Sequence, residues 1–249
     1  MSTMRISVST LLIDDMDRGS VLDSCLNHLA TPKVSVVLAL HVTAVNARYD
    51  REFTEALVAA DLIYADGNSA LLAARAWGAR SLERFVTTDL FAEICRQAPL
   101  ARIAIIGGDP GVALLAAERL RHAGVNVVFA TDGFRRDDNF LLQELTASAP
   151  NLVLVGLGMP LEANWLARHR DRLPAAMYMT CGGMIRLLAD VERRAPKQLQ
   201  SLKLEWLFRL VKDPKRTYQR YLFGVWNMAC LTIGGLLKRI GLGGDERKS

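Results

Sequence analysis

The feature that most constrains the fold of this chain is an alternation beginning at Arg102. Short apolar, β-branched runs end in glycine-rich turns, and each turn runs into a helical pattern. Arg102–Ile106 leads into Gly107-Gly108-Asp109-Pro110-Gly111 and a helix over Val112–Ala123. Val125–Ala130 ends at Thr131-Asp132-Gly133-Phe134, ahead of a helix around Asn139–Ala147. Asn151–Val155 leads into Gly156-Leu157-Gly158-Met159-Pro160 and a helix over Glu162–Arg172, and Ala176–Thr180 leads into Cys181-Gly182-Gly183. Strands apolar on both faces and separated by helices predict a parallel sheet covered on both sides. Upstream, Val34–Leu40, Arg51–Ala60, Leu62–Ala65 and Ser69–Trp77 continue the style. The fold class expected is α/β: a mostly parallel Rossmann-like sheet with helices on both faces, followed by a basic helical C-terminal appendage.

Charge separates the two parts. Residues 193–249 hold 13 Lys+Arg against 4 Asp+Glu, whereas residues 1–192 hold 18 against 22. We therefore divide the chain into a core, 1–192, and a basic amphipathic appendage, 193–249. Its cations and its aromatic residues (Trp206, Phe208, Tyr218, Tyr221, Phe223, Trp226) suit an anionic bilayer, a phosphorylated ligand or nucleic acid, or else a packed face with solvated charges. No nucleic-acid-binding motif accompanies them, so nucleic acid is not expected as a partner. The stretch Leu222–Leu237 is shorter than the roughly 20 apolar residues of a spanning helix and contains Gly224, Asn227, Gly234 and Gly235. No secretory signal opens the chain, because the first apolar run is followed by Asp14, Asp15 and Asp17. Cys25, Cys95, Cys181 and Cys230 form no C-x-x-C pair and share no ligand spacing with His28, His41, His122 or His169. A reduced, cytoplasmic protein without structural zinc is expected.

In parallel sheets of this kind ligands bind beyond the carboxyl ends of the strands. The turns at 107–111, 156–158 and 182–183 all fall on that edge, where glycine lets backbone N–H groups approach an anion and each helix start adds partial positive charge. A phosphate-bearing ligand, a nucleotide, is the expected occupant. The spacing G-G-x-x-G departs from the dinucleotide fingerprint G-x-G-x-x-G, which leaves NAD(P) a lesser alternative despite Asp132 after the next strand. Asp15-Met16-Asp17 has the look of a metal-holding D-x-D, but also of a capped helix start before Arg18–Leu29. Asp66 ends a strand ahead of Gly67, where it would serve either as a general base or as the cap of the next helix. Arg84 and Asp89 suggest a surface ion pair with a helix cap.

Taken in order, several motifs carry a family resemblance. They are Ala60-Asp61-Leu62…Asp66-Gly67, Glu83-Arg84…Asp89-Leu90, Ile106-Gly107-Gly108-x-Pro110-Gly111-Val112, Val155-Gly156-Leu157-Gly158-Met159-Pro160 and Gly182-Gly183. The tail adds Arg194-Ala195-Pro196…Leu204-Glu205-Trp206-Leu207-x-Arg209-Leu210…Pro214-x-Arg216…Arg220-Tyr221. The chain resembles the WecG/TagA/CpsF family of glycosyltransferases from about Val8 to Gly224, the tail being the most specific part. The resemblance implies an inverting, metal-independent transfer of a sugar from a UDP-sugar to a polyprenyl-diphosphate-linked sugar at the inner membrane face, with no cofactor, in exopolysaccharide or cell-envelope synthesis. It implies Asp66 as catalytic base with Arg84 nearby. It places UDP on Gly107, Gly108, Gly111, Asp132, Gly133, Phe134, Gly156 and Gly158, and the acceptor diphosphate on Arg209, Arg216 and Arg220.

The chain departs from the family pattern at two places. A Gln-Glu pair is expected after the G-x-P turn, and Glu162-Ala163 stands there, so Glu162 is a nucleotide-sugar candidate of altered chemistry. The T-x-N motif expected before Asp66 is unclear; Thr43, with Asn46, is the candidate, although the spacing does not match. These departures keep open a second function class, a non-catalytic membrane-associated partner of a polysaccharide assembly complex. A homo-oligomer is compatible with the sequence.

Overall fold

A computed structural model describes residues 4–133, 137–192 and 214–239, with side chains in the last segment for Gly224 and 226–239. The chain opens with a hairpin, β1 (Arg5–Val8) and β2 (Leu11–Asp14), and then α1 (Arg18–Ala30). There follow β3 (Ser35–Leu40), α2 (Val42–Asn46), α3 (Arg51–Ala59), β4 (Leu62–Ala65), α4 (Asn68–Ala76) and α5 (Thr87–Gln97). The repeating units come next: β5 (Ile103–Gly107), α6 (Val112–His122), β6 (Val127–Thr131), α7 (Asp138–Ser148), β7 (Leu152–Gly156), α8 (Leu161–His169), β8 (Met177–Thr180) and α9 (Met184–Leu188). A long helix, α10 (Pro214–Arg239), closes the described chain.

Six strands form one sheet in the order β4-β3-β8-β7-β5-β6, and every pair is parallel. The expected α/β class is therefore observed, with strand bounds within two residues of those read from the sequence. Strand alternation builds two cores. One face of the sheet presents Val36, Leu38, Leu40, Ile63, Val153, Val155 and Tyr178 to α2, α3, α4, α7 and α8. The other presents Val37, Ala39, Leu62, Tyr64, Ile105, Leu154 and Met179 to α1, α5, α6 and α9. Both cores are continuous and nearly all apolar, which is why the central strands read as unbroken hydrophobic runs.

Local chemistry starts the helices. Asp17 accepts from the Ser20 N–H at the head of α1, and Asp50 and Asp137 cap α3 and α7 in the same way. Asp15 accepts from the backbone N–H groups of Arg80 and Ser81. The Asp15-Met16-Asp17 spacing thus serves backbone capping. Among the described residues no group of three His, Cys, Asp or Glu side chains stands together as a metal site.

The helix α10 lies against α2 and α4. Two glycines let it sit flush: a Cβ on Gly224 would stand 2.2 Å from Val42 Cγ2, and one on Gly235 2.5 Å from Trp77 Cδ1. Trp77 Nε1 donates to the Leu231 carbonyl at 2.8 Å, and Asn227 Nδ2 donates to Asn46 Oδ1 at 2.9 Å. No described helix is long and apolar enough to cross a membrane. Gly235→Leu is expected to lift this helix, at a cost of roughly 1–3 kcal/mol for overpacking. Limited proteolysis should then cut the chain near α10 faster while the sheet domain survives.

Candidate active site

The strand order decides which residues meet. His41, Asp66, Gly107, Asp132, Gly156 and Cys181 follow or end β3, β4, β5, β6, β7 and β8 respectively, so all stand along one edge of the sheet.

At one end of this edge is Asp66. Its backbone N–H continues the ladder to the Leu40 carbonyl, and its Oδ1 accepts from both the N–H and the Oγ1–H of Thr87, at 2.7 and 3.1 Å. Tyr64 Oη lies 2.7 Å from Thr87 Oγ1. Because the Thr87 proton is committed to a carboxylate, Tyr64 is the donor in this pair. Burial, reinforced by the Asp66 charge, holds the Tyr64 phenol well above its ordinary pKa. One oxygen of Asp66 is thereby fixed, and Oδ2 accepts no hydrogen bond from the described residues. Asp66 does not cap the following helix: Gly67 occupies that position, with no side-chain cap. Arg84 pairs with Ala65 across a parallel bridge and donates from Nε to the Asp66 carbonyl at 3.0 Å. The two candidates from the sequence are therefore in direct contact.

Toward the other end, three turns pack as bare backbone. A Cβ on Gly107 (φ +129°) would stand 2.3 Å from the Gly156 carbonyl oxygen, and Gly108 N–H donates to that oxygen at 3.2 Å. A Cβ on Gly133 would meet Leu157 and approach Gly107 Cα, which brings the Asp132-Gly133 turn against the other two. Gly111 opens α6 in the left-handed region with open space around its Cβ position. Asp109, inside the first turn, is paired with Arg186 on α9. Phe134 and Arg209 lie outside the described residues, as do the side chains of Arg216 and Arg220, which fall in the first turns of α10.

Glu162 stands at the middle of the edge. It is 1% exposed, and its Oε2 accepts from the N–H groups of Gly158 at 3.0 Å and Gly182 at 3.2 Å. A single carboxyl oxygen thus ties the turn after β7 to the turn after β8. Burial pushes the group up from the ordinary 4.5 to about 8 against the pull of those amides, and the Asp66 charge pushes it the same way. At neutral pH the carboxyl holds its proton, and Oε2 already has two donors, so the proton belongs on Oε1.

The sequence did not single out His41. It caps α2, its Nδ1 accepting from the Thr43 N–H at 3.2 Å, and its backbone lies against Gly67. Thr43 therefore contributes a backbone N–H to His41, and Asn46 helps hold α10. The residue from this segment that faces the centre of the edge is His41. A lone histidine before a short helix carries no local signature, and only the position of β3 beside β8 brings it there.

Residues 6–241 match the sequence model described as the Glycosyl transferase WecG/TagA/CpsF family. The chain belongs to this family. The protein is accordingly a glycosyltransferase, and the sheet edge carrying Asp66, Glu162 and the glycine turns is its candidate active site. Within the family setting, the departure at Glu162 has a physical explanation. A protonated carboxyl presents one accepting oxygen and one donating O–H, the same pattern as the carbonyl and NH₂ of a glutamine. Held neutral, Glu162 keeps the hydrogen-bond chemistry of the expected amide.

A raised pKa in the folded state also couples stability to pH. Between about pH 4.5 and 8 the unfolded chain has released this proton while the folded chain retains it. The Glu162 contribution is thus complete below the unfolded value and is lost as pH rises through the folded one, by up to about 1.4 kcal/mol per pH unit. Glu162→Gln should flatten this part of the stability–pH profile and raise the melting temperature relative to the native protein at pH 8, as measured by thermal denaturation across pH 5–9.

Proposed function

We propose that this glycosyltransferase moves a sugar from a UDP-sugar onto a polyprenyl-diphosphate-linked sugar, with inversion, in cell-surface or exopolysaccharide synthesis. The observation that carries the reading is the separation of two chemistries along one sheet edge. Asp66 stands at β4, and the glycine turns that suit a diphosphate stand at β7 and β5. Three strand spacings of about 4.8 Å lie between β4 and β7, roughly 14 Å. A hexose ring held there has a carboxylate on one side and its leaving diphosphate on the other. That is the arrangement for a single displacement: Asp66 Oδ2 takes the proton of the acceptor hydroxyl, the hydroxyl oxygen attacks the anomeric carbon, and the bond to UDP breaks on the opposite face. Backbone N–H groups of the Gly107–Gly111 turn and the helix start behind it, together with arginine side chains, would take up the charge on the departing UDP.

The appendage supports the acceptor side. Gly224 meets Val42, one residue past His41, whereas Leu231 and Gly235 meet Trp77 at the far end of α4. The helix therefore passes the carboxyl edge at Gly224, and we infer that Arg216 and Arg220, earlier in the same helix, serve the acceptor diphosphate. Its outward side carries Trp226, 71% exposed, with Ile233, Leu236 and Leu237 about two to three turns on and Lys238 and Arg239 at the end. An apolar stripe flanked by cations suits the interface of an anionic bilayer, where a lipid-linked acceptor resides. We place the protein at the inner face of the cytoplasmic membrane on this ground.

The test is UDP release from a panel of UDP-sugars, with a polyprenyl-diphosphate-linked N-acetylglucosamine acceptor in detergent. Acceptor-dependent release is expected, reduced about 10²- to 10⁴-fold in Asp66→Asn, as for the loss of a general base. Undiminished turnover in that variant removes Asp66 from the mechanism, and acceptor-independent binding without release from any donor favours a non-catalytic role.

A further inference from the structure

Resting on the reading of Asp66 as the general base, we propose that Thr87 and Tyr64 are positioning residues, a hydrogen-bond chain that sets the plane of the Asp66 carboxylate for the acceptor hydroxyl. The terminal torsion of an aspartate is broad, so a carboxylate at a strand end has no preferred plane of its own. Here Oδ1 receives two donors from one residue, the N–H of Thr87 at 2.7 Å and its Oγ1–H at 3.1 Å. Thr87 is the first residue of α5 and is 5% exposed. Its N–H belongs to the helix-start donors that have no partner within their own helix, so Asp66 serves α5 as a cap supplied by another element. The backbone ties the same two segments together. Phe85 N–H donates to the Ala65 carbonyl at 2.8 Å, and Arg84 Nε donates to the Asp66 carbonyl.

Tyr64 makes the arrangement directional. A threonine hydroxyl turns to suit its surroundings, and it can donate or accept. Tyr64 Oη donates to Thr87 Oγ1 at 2.7 Å, so the Thr87 proton is left to the carboxylate. The phenol ring is buried in the core that holds Val21, Cys25, Phe85 and Leu90, where close packing keeps it in one place. The chain therefore runs from a ring fixed in the core, through one hydroxyl, to the base at the sheet edge. It conducts no proton. In the transfer the acceptor O–H bond breaks, its proton goes to Asp66 Oδ2, and Oδ1 keeps both of its hydrogen bonds. Burial holds the Tyr64 phenol in its protonated form throughout. The benefit lies in alignment, since a base turned out of line with the hydroxyl loses much of its effect.

The experiment measures acceptor-dependent UDP release by the full chain, with saturating acceptor and a varied UDP-sugar. Thr87→Val keeps the side-chain shape and the N–H but removes the hydroxyl. It should lower kcat about tenfold to hundredfold, the worth of a hydrogen bond to a charged group, with KM for the UDP-sugar changed by no more than about twofold. Thr87→Ser returns the hydroxyl and should recover kcat to within about threefold. Tyr64→Phe should lower kcat about threefold to tenfold and add nothing to Thr87→Val, because it acts only through that hydroxyl. In an Asp66→Asn background Thr87→Val should cause no further loss. Melting curves check that each variant is folded, and Tyr64→Phe/Thr87→Val, which leaves no buried hydroxyl without a partner, replaces the single valine variant if that does not fold. An undiminished kcat without the Thr87 hydroxyl, a loss that Thr87→Ser does not recover, or an equal further loss in the Asp66→Asn background overturns the inference while leaving Asp66 as the base. Undiminished turnover in Asp66→Asn alone, or no turnover by the native protein with any donor, removes the base reading, and the inference falls with it.

Discussion

One carboxyl oxygen organises the centre of this protein. Glu162 Oε2 holds the backbone of two separate turns, after β7 and after β8, and does so from a position sealed off from water. Two part-buried N–H groups are satisfied by a single atom. The geometry of the site follows. With the turn at 182 pinned, its glycine backbone passes close to Gly156, where a Cβ would lie 2.8 Å from the Gly182 carbonyl oxygen. Ile185 behind it covers Gly108 and Gly156. The glycine turns can therefore crowd together as bare backbone because a side-chain acceptor beneath them keeps their registers fixed.

The same carboxyl shows how a family pattern can change in letter while keeping its chemistry. A charged group in place of an amide would be expected to disturb a buried site. Here burial and the neighbouring Asp66 together keep the proton on, and a neutral acid has the donor and acceptor of an amide. The substitution makes the site sensitive to pH, which an amide is not.

The fold was legible because its signals are local. Val36 to Leu40 and Leu152 to Val155 are buried on both faces, so their apolar runs announce a covered parallel sheet, and each glycine turn marks a strand end. The strand order was not legible, since β8 pairs with β3 across most of the chain and nothing near either strand declares it. His41 went unread for the same reason, its place at the centre being a product of that pairing. Thr43 and Asn46 were read as site candidates because they fit a motif by residue type. In the structure the Thr43 N–H donates to the His41 cap, and Asn46 Oδ1 accepts from Asn227 on α10. The hairpin β1–β2 was also missed: its strands are only four residues each, and its tie to β4, the Asp14 bond to the Ile63 N–H at 2.8 Å, is long-range.

The insertion of β8 between β3 and β7 bears on how such a chain is made. The first two strands of the sheet and the three that follow have no ladder to one another until Met177–Thr180 arrives between them. The contact from Ala39 N–H to Thr180 Oγ1 bridges 141 positions. During synthesis the two halves can each collapse, but they remain unjoined, with open strand edges, until almost three quarters of the polypeptide has emerged. Ribosome-bound chains ending short of that point would expose sticky sheet edges, and this late closure makes the nascent protein a natural client for chaperones.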